Sequence, residues 1–376
     1  MTFAHLQRIL PNTAASRSID PCTWMKNPPD SRNIRAMHSV DKDQDFWRQS
    51  RVLVTGGAGF IGSALVWELN RRGCANVVVA DFAAHARERR NLAALKYTDY
   101  VEPSDLFGQL QSGAFGKFDF VFHLGACSST TETNEEYLRK NNFEYSRDLA
   151  DWAVNSGVRF VYASSAATYG DGSAGMDDRD LSAIEKLQPL NPYGRSKQMM
   201  DLYACRNGWL EELVALKYFN VFGPNEAHKG DMQSVVRKSY AQIKETGVVR
   251  LFKSYRPEYH DGEQRRDFLY VKDAVAMTLY LAAHRATHGI FNIGSGVSHS
   301  WNELARCVFA ALAKGPRIEY IDMPESVRQQ YQYFTQAEIG KLLGAGYAKP
   351  ITPLADSVRD YVVNYLVPGL SLGGER

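Results

Sequence analysis

No apolar run in this chain approaches the roughly 20 residues that a membrane-spanning helix needs, so no such helix is expected. An excess of one charge sign is missing too. The net charge is +2, which gives no ground for a nucleic-acid partner or a charged membrane surface. Cysteines are few and scattered. The five, Cys22, Cys74, Cys127, Cys205 and Cys307, include no pair spaced as in a zinc or redox motif, and no metal ligand set is expected. An odd, unpatterned count fits reduced thiols in a cytoplasm, packed as small hydrophobes. Internal repeats and low-complexity tracts are absent. What remains is an ordinary globular composition, 44% hydrophobic and 23% charged. Its 376 residues are too many for one small core and predict a large α/β unit with a second lobe.

Residues 1–50 differ from the rest of the chain. They carry Pro11, Pro21, Pro28 and Pro29 and no sustained period, and so read as a poorly ordered extension. Early arginines and serines suggest a transit peptide; Asp20, Asp30, Asp41, Asp43 and Asp45 and the lack of an amphipathic segment argue against one. A translation start at Met37 is a third reading. Regular patterning begins at Arg51. Short β-branched or aromatic runs at residues 51–55, 76–81, 118–124, 159–164 and 213–219 read as strands. Helical stretches at residues 60–72 and 134–156 lie between them. This alternation predicts a Rossmann-type, doubly wound parallel sheet over residues 51–221. Residues 222–376 are patterned more loosely and predict mainly a smaller mixed α/β substrate lobe. A helix at 233–245, short strands near Val249, Phe268, Phe291 and Ile318, and a last helix at 353–365 are expected there. Some of these segments are expected to return to the main sheet, and residues 368–376 to form a loose tail.

The first strand runs into Thr55-Gly56-Gly57-Ala58-Gly59-Phe60-Ile61-Gly62. Gly56, Gly59 and Gly62 have separate tasks: a tight turn, close approach of backbone to a pyrophosphate, and close packing of helix on sheet. The helix beyond them would aim its free N–H groups at the phosphates. Asp81, at the end of the second strand, is placed to hold an adenosine ribose 2′-hydroxyl, as NAD requires. Arg87, Arg89 and Arg90 lie just beyond it and would suit the 2′-phosphate of NADP, or form a solvated basic face. NAD and NADP therefore both stay open at this point. The small residues after His123, in Leu124-Gly125-Ala126-Cys127-Ser128, leave room for a cofactor at the sheet edge. His123 itself reads as a satisfied strand-end histidine.

Tyr193 and Lys197 are four apart at the start of a helix and share one face. A phenol with a pKa near 10 is a poor base at neutral pH; a nearby ammonium and a cationic nicotinamide would favour its phenolate. Ser165, just beyond a strand end, is placed to hold a substrate oxygen, with Thr168 as a second candidate.

The glycine turn, Ser165, Tyr193 and Lys197 together resemble the extended short-chain dehydrogenase/reductase family, from Arg51 to about Tyr365. Residues 126–132, 162–170, 218–230, 251–254, 265–271 and 331–336 narrow the resemblance to its sugar-nucleotide epimerases that act on an ADP-linked heptose. Such a relationship implies an isomerase that inverts carbon 6 of ADP-D-glycero-D-manno-heptose through a transient 6-keto sugar, with bound NADP. It implies two acid/base residues, Tyr193 and Lys229, with Lys197 orienting the nicotinamide ribose. Phe60, Ile61, Asp81, Phe82, Leu124, Gly125, Ala126, Cys127, Ser128, Asn141 and Val221 would line the cofactor. Asn220, Asp231, Lys238, Leu251, Phe252, Lys253, Ser254, Arg266 and Tyr331 would face the ADP-sugar, Arg266 with a fork suited to diphosphate. The family's members form homo-oligomers, often pentamers, and supply heptose for the lipopolysaccharide core.

Some residues depart from that pattern. Glu88 and Pro103 stand where lysines often bind the adenosine phosphate, and Asp231 and Lys238 are unusual at their positions. Taken alone, Lys229 is a solvated loop lysine, and Asn220 and Tyr331 are equally readable as loop and core packing. Rival readings are a UDP-hexose 4-epimerase, a 4,6-dehydratase and a non-catalytic dinucleotide sensor. Ala166 and Ala167 supply no acidic pair for a dehydratase, and the tyrosine–lysine pair disfavours a sensor.

Overall fold

The β-branched run after Arg51 forms strand β1 (Val52–Thr55), buried along its whole length. In the computed structural model, which describes residues 45–82, 86–328 and 331–374, the glycine turn leads from β1 into α1 (Phe60–Arg71). Next come β2 (Val77–Ala80), β3 (Asp99–Val101), α2 (Pro103–Gln111), β4 (Phe120–His123), α3 (Tyr145–Asn155), β5 (Arg159–Ser165), α4 (Pro192–Arg206) and β6 (Val214–Tyr218). A late strand joins them, so that the sheet has seven strands. Every pair in it is parallel.

Alternating side chains divide this sheet between two apolar layers, as a period of two requires. Val52 and Val54, with Val77, Val79, Phe120 and Phe122, face the layer that holds Ala64 and Leu65 of α1. Leu53, Val78, Val121 and Phe160 face the other, against Leu106 of α2, Leu149 and Ala153 of α3 and Met200 of α4. Each fully buried aliphatic or aromatic side chain contributes about 1.5–3 kcal/mol. Local signals start the helices: Asn191 caps α4 by accepting the Gly194 N–H, and Pro192 occupies the first turn, where its missing N–H costs nothing.

The rest of the chain adds β7 (Asn220–Phe222), α5 (Val235–Glu245), β8 (Val249–Phe252), β9 (Arg265–Tyr270), α6 (Val271–Ala283), β10 (Gly289–Ile293), β11 (Ser298–Ser300), α7 (Trp301–Ala311), β12 (Ile318–Ile321) and α8 (Leu354–Tyr361). β10 is the strand that joins the main sheet, beside β6, in the order β10-β6-β5-β4-β1-β2-β3. β11-β9-β7 and β12-β8 form two small separate sheets. A capping box between Ser300 and Glu303 starts α7.

β3, β7 and β11 were not expected. Each has three residues, too few to show a period, and β3 lies at an exposed sheet edge. Residues 1–44, most of the predicted extension, lie outside the described residues. The folded part nevertheless starts before Arg51: residues 45–49 are helical, and Trp47 is fully buried, 5.0 Å from the Phe120 ring centre. The expected loose tail is also partly built in. Leu372 is buried and its N–H donates to Asn225 Oδ1 at 3.0 Å.

Because Trp47 fills core volume against β4, Trp47→Ala should cost about 3–5 kcal/mol in urea unfolding; a change within about 0.5 kcal/mol would mean that the segment does not pack there.

Candidate active site

The chain leaves β1 in one direction to build β2 and β3, then returns to build β4 on the other side of β1. At such a reversal the loops after the two neighbouring strands diverge and leave a crevice. A cavity of about 500 Å³ lies here, lined by Gly56, Gly59, Phe60, Ile61, Gly62, Asp81, Phe82, Leu124, Gly125, Ala126, Cys127, Ser128, Asn141 and Lys229. The glycines are required by geometry. Gly56 has φ +67°, and a Cβ on it would lie 2.6 Å from the Gly125 nitrogen. A Cβ on Gly62 would collide with the Gly56 carbonyl oxygen. No side chain caps α1, whose positive end faces this turn. A backbone cradle before an uncapped helix fits the pyrophosphate of a dinucleotide.

At the far end of the cavity the Asp81 carboxylate accepts the Ala58 N–H at 2.9 Å and the Phe82 N–H at 2.8 Å. Glu88 and Pro103 also line the cavity. Arg89 places its guanidinium 5.3 Å from the Tyr100 ring centre, and the side chain of Arg87 lies outside the described residues.

The tyrosine, serine and lysine converge at the end of β5. Tyr193 lies close to Ser165; burial raises the phenol's pKa and the Ser165 hydroxyl opposes that rise. Lys197 is buried, and its ammonium donates to the Ala163 carbonyl at 2.9 Å rather than to the phenol. Burial pulls the Lys197 pKa down to about 8, with the charge of Asp201, one turn on, working the other way. Cys127 lies close enough to act on both Tyr193 and Lys197. His123 is enclosed between Thr55 Oγ1 at 2.6 Å and Ser146 Oγ at 2.7 Å, and burial beside Lys197 lowers its pKa to about 3. It is a neutral structural link, as expected.

A buried polar network supports these groups from below. Asp201 accepts hydrogen bonds from Tyr162 at 2.7 Å and Ser164 at 2.8 Å and pairs with Lys217 at 2.9 Å. Lys217 also donates to Thr168, whose hydroxyl donates to the Ser165 carbonyl. Thr168 therefore braces the serine loop from within the protein. Sequence reasoning passed over Asn142 for its neighbour Asn141. Asn142 is fully buried, exchanges bonds with the Cys127 N–H and carbonyl at 2.8 and 2.9 Å, and donates to Ser196 on α4. A π-helical turn, Arg139–Glu144, carries both asparagines. Tyr137, Tyr145, His228 and Met232 also line the cavity and were missed; for Tyr137 the signal was its spacing of four from Asn141.

Lys229 lines the cavity with its amine 5.2 Å from the Phe60 ring centre, beside the glycine turn. Burial lowers its pKa; Glu226 opposes this and Lys238 adds to it. The other expected substrate residues lie apart from this cavity. Arg266 is buried between the rings of Trp301 and Tyr331, with centres 5.6 and 5.1 Å away, and the Trp301 indole donates to the Tyr331 hydroxyl at 2.8 Å. Its guanidinium donates to the Arg265 and Gln332 carbonyls. Phe252 approaches the Tyr331 ring, and Asn220 accepts from Thr335. Lys253 pairs with Asp322, and the Ser254 N–H donates to Asp261. Leu251 is core packing, Lys238 donates to the Asp231 carbonyl at the surface, and Val221 packs against the core beside β9.

A model described as the NAD dependent epimerase/dehydratase family matches residues 52–294. An ADP-L-glycero-D-manno-heptose-6-epimerase of Nitratidesulfovibrio vulgaris is 49% identical over 315 residues, covering 84% of this chain and 97% of that protein. One of the same name from Fusobacterium nucleatum is 41% identical, covering 84% and 98%. Among solved structures, the Helicobacter pylori ADP-L-glycero-D-manno-heptose-6-epimerase superposes with a TM-score of 0.71 at 27% identity, covering 86% of this chain and 98% of that one. A Thermus thermophilus UDP-glucose 4-epimerase in complex with NAD gives 0.68 at 27% identity, covering 83% and 98%.

This geometry has two measurable consequences. Gly56→Ala should abolish retention of a dinucleotide, read as the nucleotide released on denaturing the gel-filtered protein; retention at the parental level would contradict the cradle. Lys197 is charged below pH 8 and loses its charge as pH rises through 8, so kcat/KM should fall on an alkaline limb near that value. That limb should be missing from the residual activity of Lys197→Met.

Proposed function

The chain belongs to the NAD dependent epimerase/dehydratase family, and within it to the ADP-L-glycero-D-manno-heptose-6-epimerases; from that premise we propose that it inverts carbon 6 of ADP-D-glycero-D-manno-heptose. The observation that supports the proposal is that the glycine turn, Cys127 and Lys229 line one cavity, while Tyr193, Ser165 and Lys197, which do not line it, gather at the end of β5 near Cys127.

Carbon 6 bears a hydroxyl and a non-acidic C–H, so inversion by direct deprotonation is blocked. The Gly56–Gly62 turn and Asp81 would hold a dinucleotide that would supply a hydride acceptor and donor for carbon 6. This carbon lies outside the sugar ring. Rotation about its bond to the ring turns the ketone over, and hydride returned to the second face inverts the centre. As the ketone turns, its oxygen swings from one side of the site to the other. Two groups are therefore needed to take and give the hydroxyl proton, one for each position. Tyr193 is the group proposed for one side, with Ser165 beside it; the Lys197 ammonium, held on the Ala163 carbonyl, would favour its phenolate. On the other side, burial has already moved Lys229 toward the neutral amine that a base requires.

The proposal takes NADP as the dinucleotide, with NAD as the alternative supported by Asp81 and Glu88 on the cavity wall. Arg266, Tyr331, Phe252 and Asn220 are the group proposed for the ADP-sugar. Cytoplasmic location, homo-oligomeric assembly and supply of heptose to the lipopolysaccharide core belong to the same proposal. Among the described residues no helix is long and apolar enough to cross a membrane.

The test is NMR of the purified protein with ADP-D-glycero-D-manno-heptose and no added cofactor. The carbon 6 epimer should accumulate, and the mass of the released dinucleotide identifies the cofactor. Lys229→Ala and Tyr193→Phe should each lower kcat by about 10²–10⁴-fold. Turnover of UDP-galactose without turnover of the ADP-heptose would replace this reading with a 4-epimerase.

A further inference from the structure

Lys229 sits within a loop whose two ends are tied by one carboxylate. Glu226 is fully buried. Its Oε2 accepts the Ser234 N–H at 2.5 Å, and its Oε1 accepts the Ser234 hydroxyl at 2.6 Å and the Gly223 N–H at 3.5 Å. Gly223 directly follows β7, and Ser234 is the residue that caps α5. The Glu226 carbonyl also accepts the Lys229 N–H at 3.1 Å, so the lysine is fixed from the same residue.

Other bonds join this loop to the cofactor cradle. Asn225 has φ +76°, a left-handed conformation that asparagine tolerates better than most residues. Its side chain donates to Ser63 on α1 at 3.0 Å and accepts the Leu372 N–H at 3.0 Å. The Asn91 amide donates both to the Asn225 carbonyl at 3.1 Å and to the Ala58 carbonyl of the glycine turn at 3.0 Å.

The chemistry of the clamp selects a carboxylate. Both oxygens of Glu226 receive a donor from Ser234, and a glutamine could accept on only one of its two terminal atoms. A buried carboxylate is costly unless its bonds are complete, so this one is kept only where its bonds are needed. The charged and titratable groups around it are Lys229 in the loop, Arg237 on α5 and Tyr361 on α8.

We propose that Glu226 is the positioning residue for Lys229: its carboxylate clamps Gly223 to Ser234 and so holds the Lys229 amine at the cavity wall beside Phe60. The proposal rests on the reading of Lys229 as the second acid/base.

The test compares kcat and KM for ADP-D-glycero-D-manno-heptose in the cofactor-loaded full chain and in Glu226→Gln, Ser234→Ala, Lys229→Met and the Glu226→Gln/Lys229→Met double variant. Glu226→Gln should lower kcat about 10²-fold with KM nearly unchanged, and Ser234→Ala about tenfold. In the Lys229→Met background Glu226→Gln should change kcat less than about twofold, because no amine is left to position. An equal loss in both backgrounds would show that Glu226 acts on the fold, and would overturn the proposal. A Lys229→Met enzyme with near-parental kcat would instead remove the acid/base reading, and the proposal with it. If Glu226→Gln does not fold, Ser234→Ala in the two backgrounds makes the same comparison.

Discussion

The close approach of two backbones at the centre of the sheet, Gly56 after β1 and Gly125 after β4, sets the geometry of everything above it. A Cβ on Gly56 would stand 2.6 Å from the Gly125 nitrogen, so this crossing exists only without side chains. It depends on the sheet order. β1 lies between β2 and β4 because the chain builds outward one way and then the other, and the loops after β1 and β4 must then share one crevice. The same approach lets Thr55 Oγ1 accept the Gly125 N–H at 3.2 Å while also contacting His123. This crossing is thus fixed by backbone and by the neutral side chains of Thr55 and His123, while the buried charges of Asp81 and of the Asp201–Lys217 pair brace the turn and the serine loop around it.

The two lysines proposed to act share one electrostatic condition. Lys197 and Lys229 are both pushed toward the neutral amine by burial, and each has a carboxylate opposing the push: Asp201 one turn along α4, Glu226 in the loop. Both carboxylates also have mechanical work. Asp201 gathers Tyr162, Ser164 and Lys217 under the serine loop, and Glu226 gathers the two ends of the lysine loop. A buried carboxylate that only balanced charge would add little stability, because desolvation offsets most of the Coulomb gain. One that also satisfies several backbone and hydroxyl donors is accounted for by those bonds.

Much of this was legible in the sequence, for reasons that differ by residue. β1 and its glycine turn were readable because strand, turn and helix signals are contiguous and agree. Tyr193 and Lys197 were readable because helical spacing places them on one face and the glycine turn upstream sets that pair apart from an ordinary surface one. Lys229 was readable only through the resemblance of its surroundings, since a lysine between a histidine and a glycine carries no signal of burial. Asn142, Glu226 and the contact of Leu372 with Asn225 were not readable at all. Their roles rest on partners 15, 8 and 147 residues away in the chain, set by the fold and not by local pattern. The same holds for β3, a three-residue edge strand that exists because β2 offers it a partner.

The lysine loop bears on how hydride transfer and proton transfer are kept in step. Asn225 touches α1 through Ser63, and Asn91 touches both Asn225 and the glycine turn. The cradle proposed for the dinucleotide and the loop proposed for the second acid/base are therefore parts of one hydrogen-bonded body, not two flexible elements that meet over the substrate. In the proposed reaction a ketone turns over between two hydride transfers, and a loose lysine loop would let its oxygen lose a partner in one of the two positions. Those bonds tie the lysine loop to the first helix and turn of the cofactor cradle, so that the loop and the cradle keep their separation together.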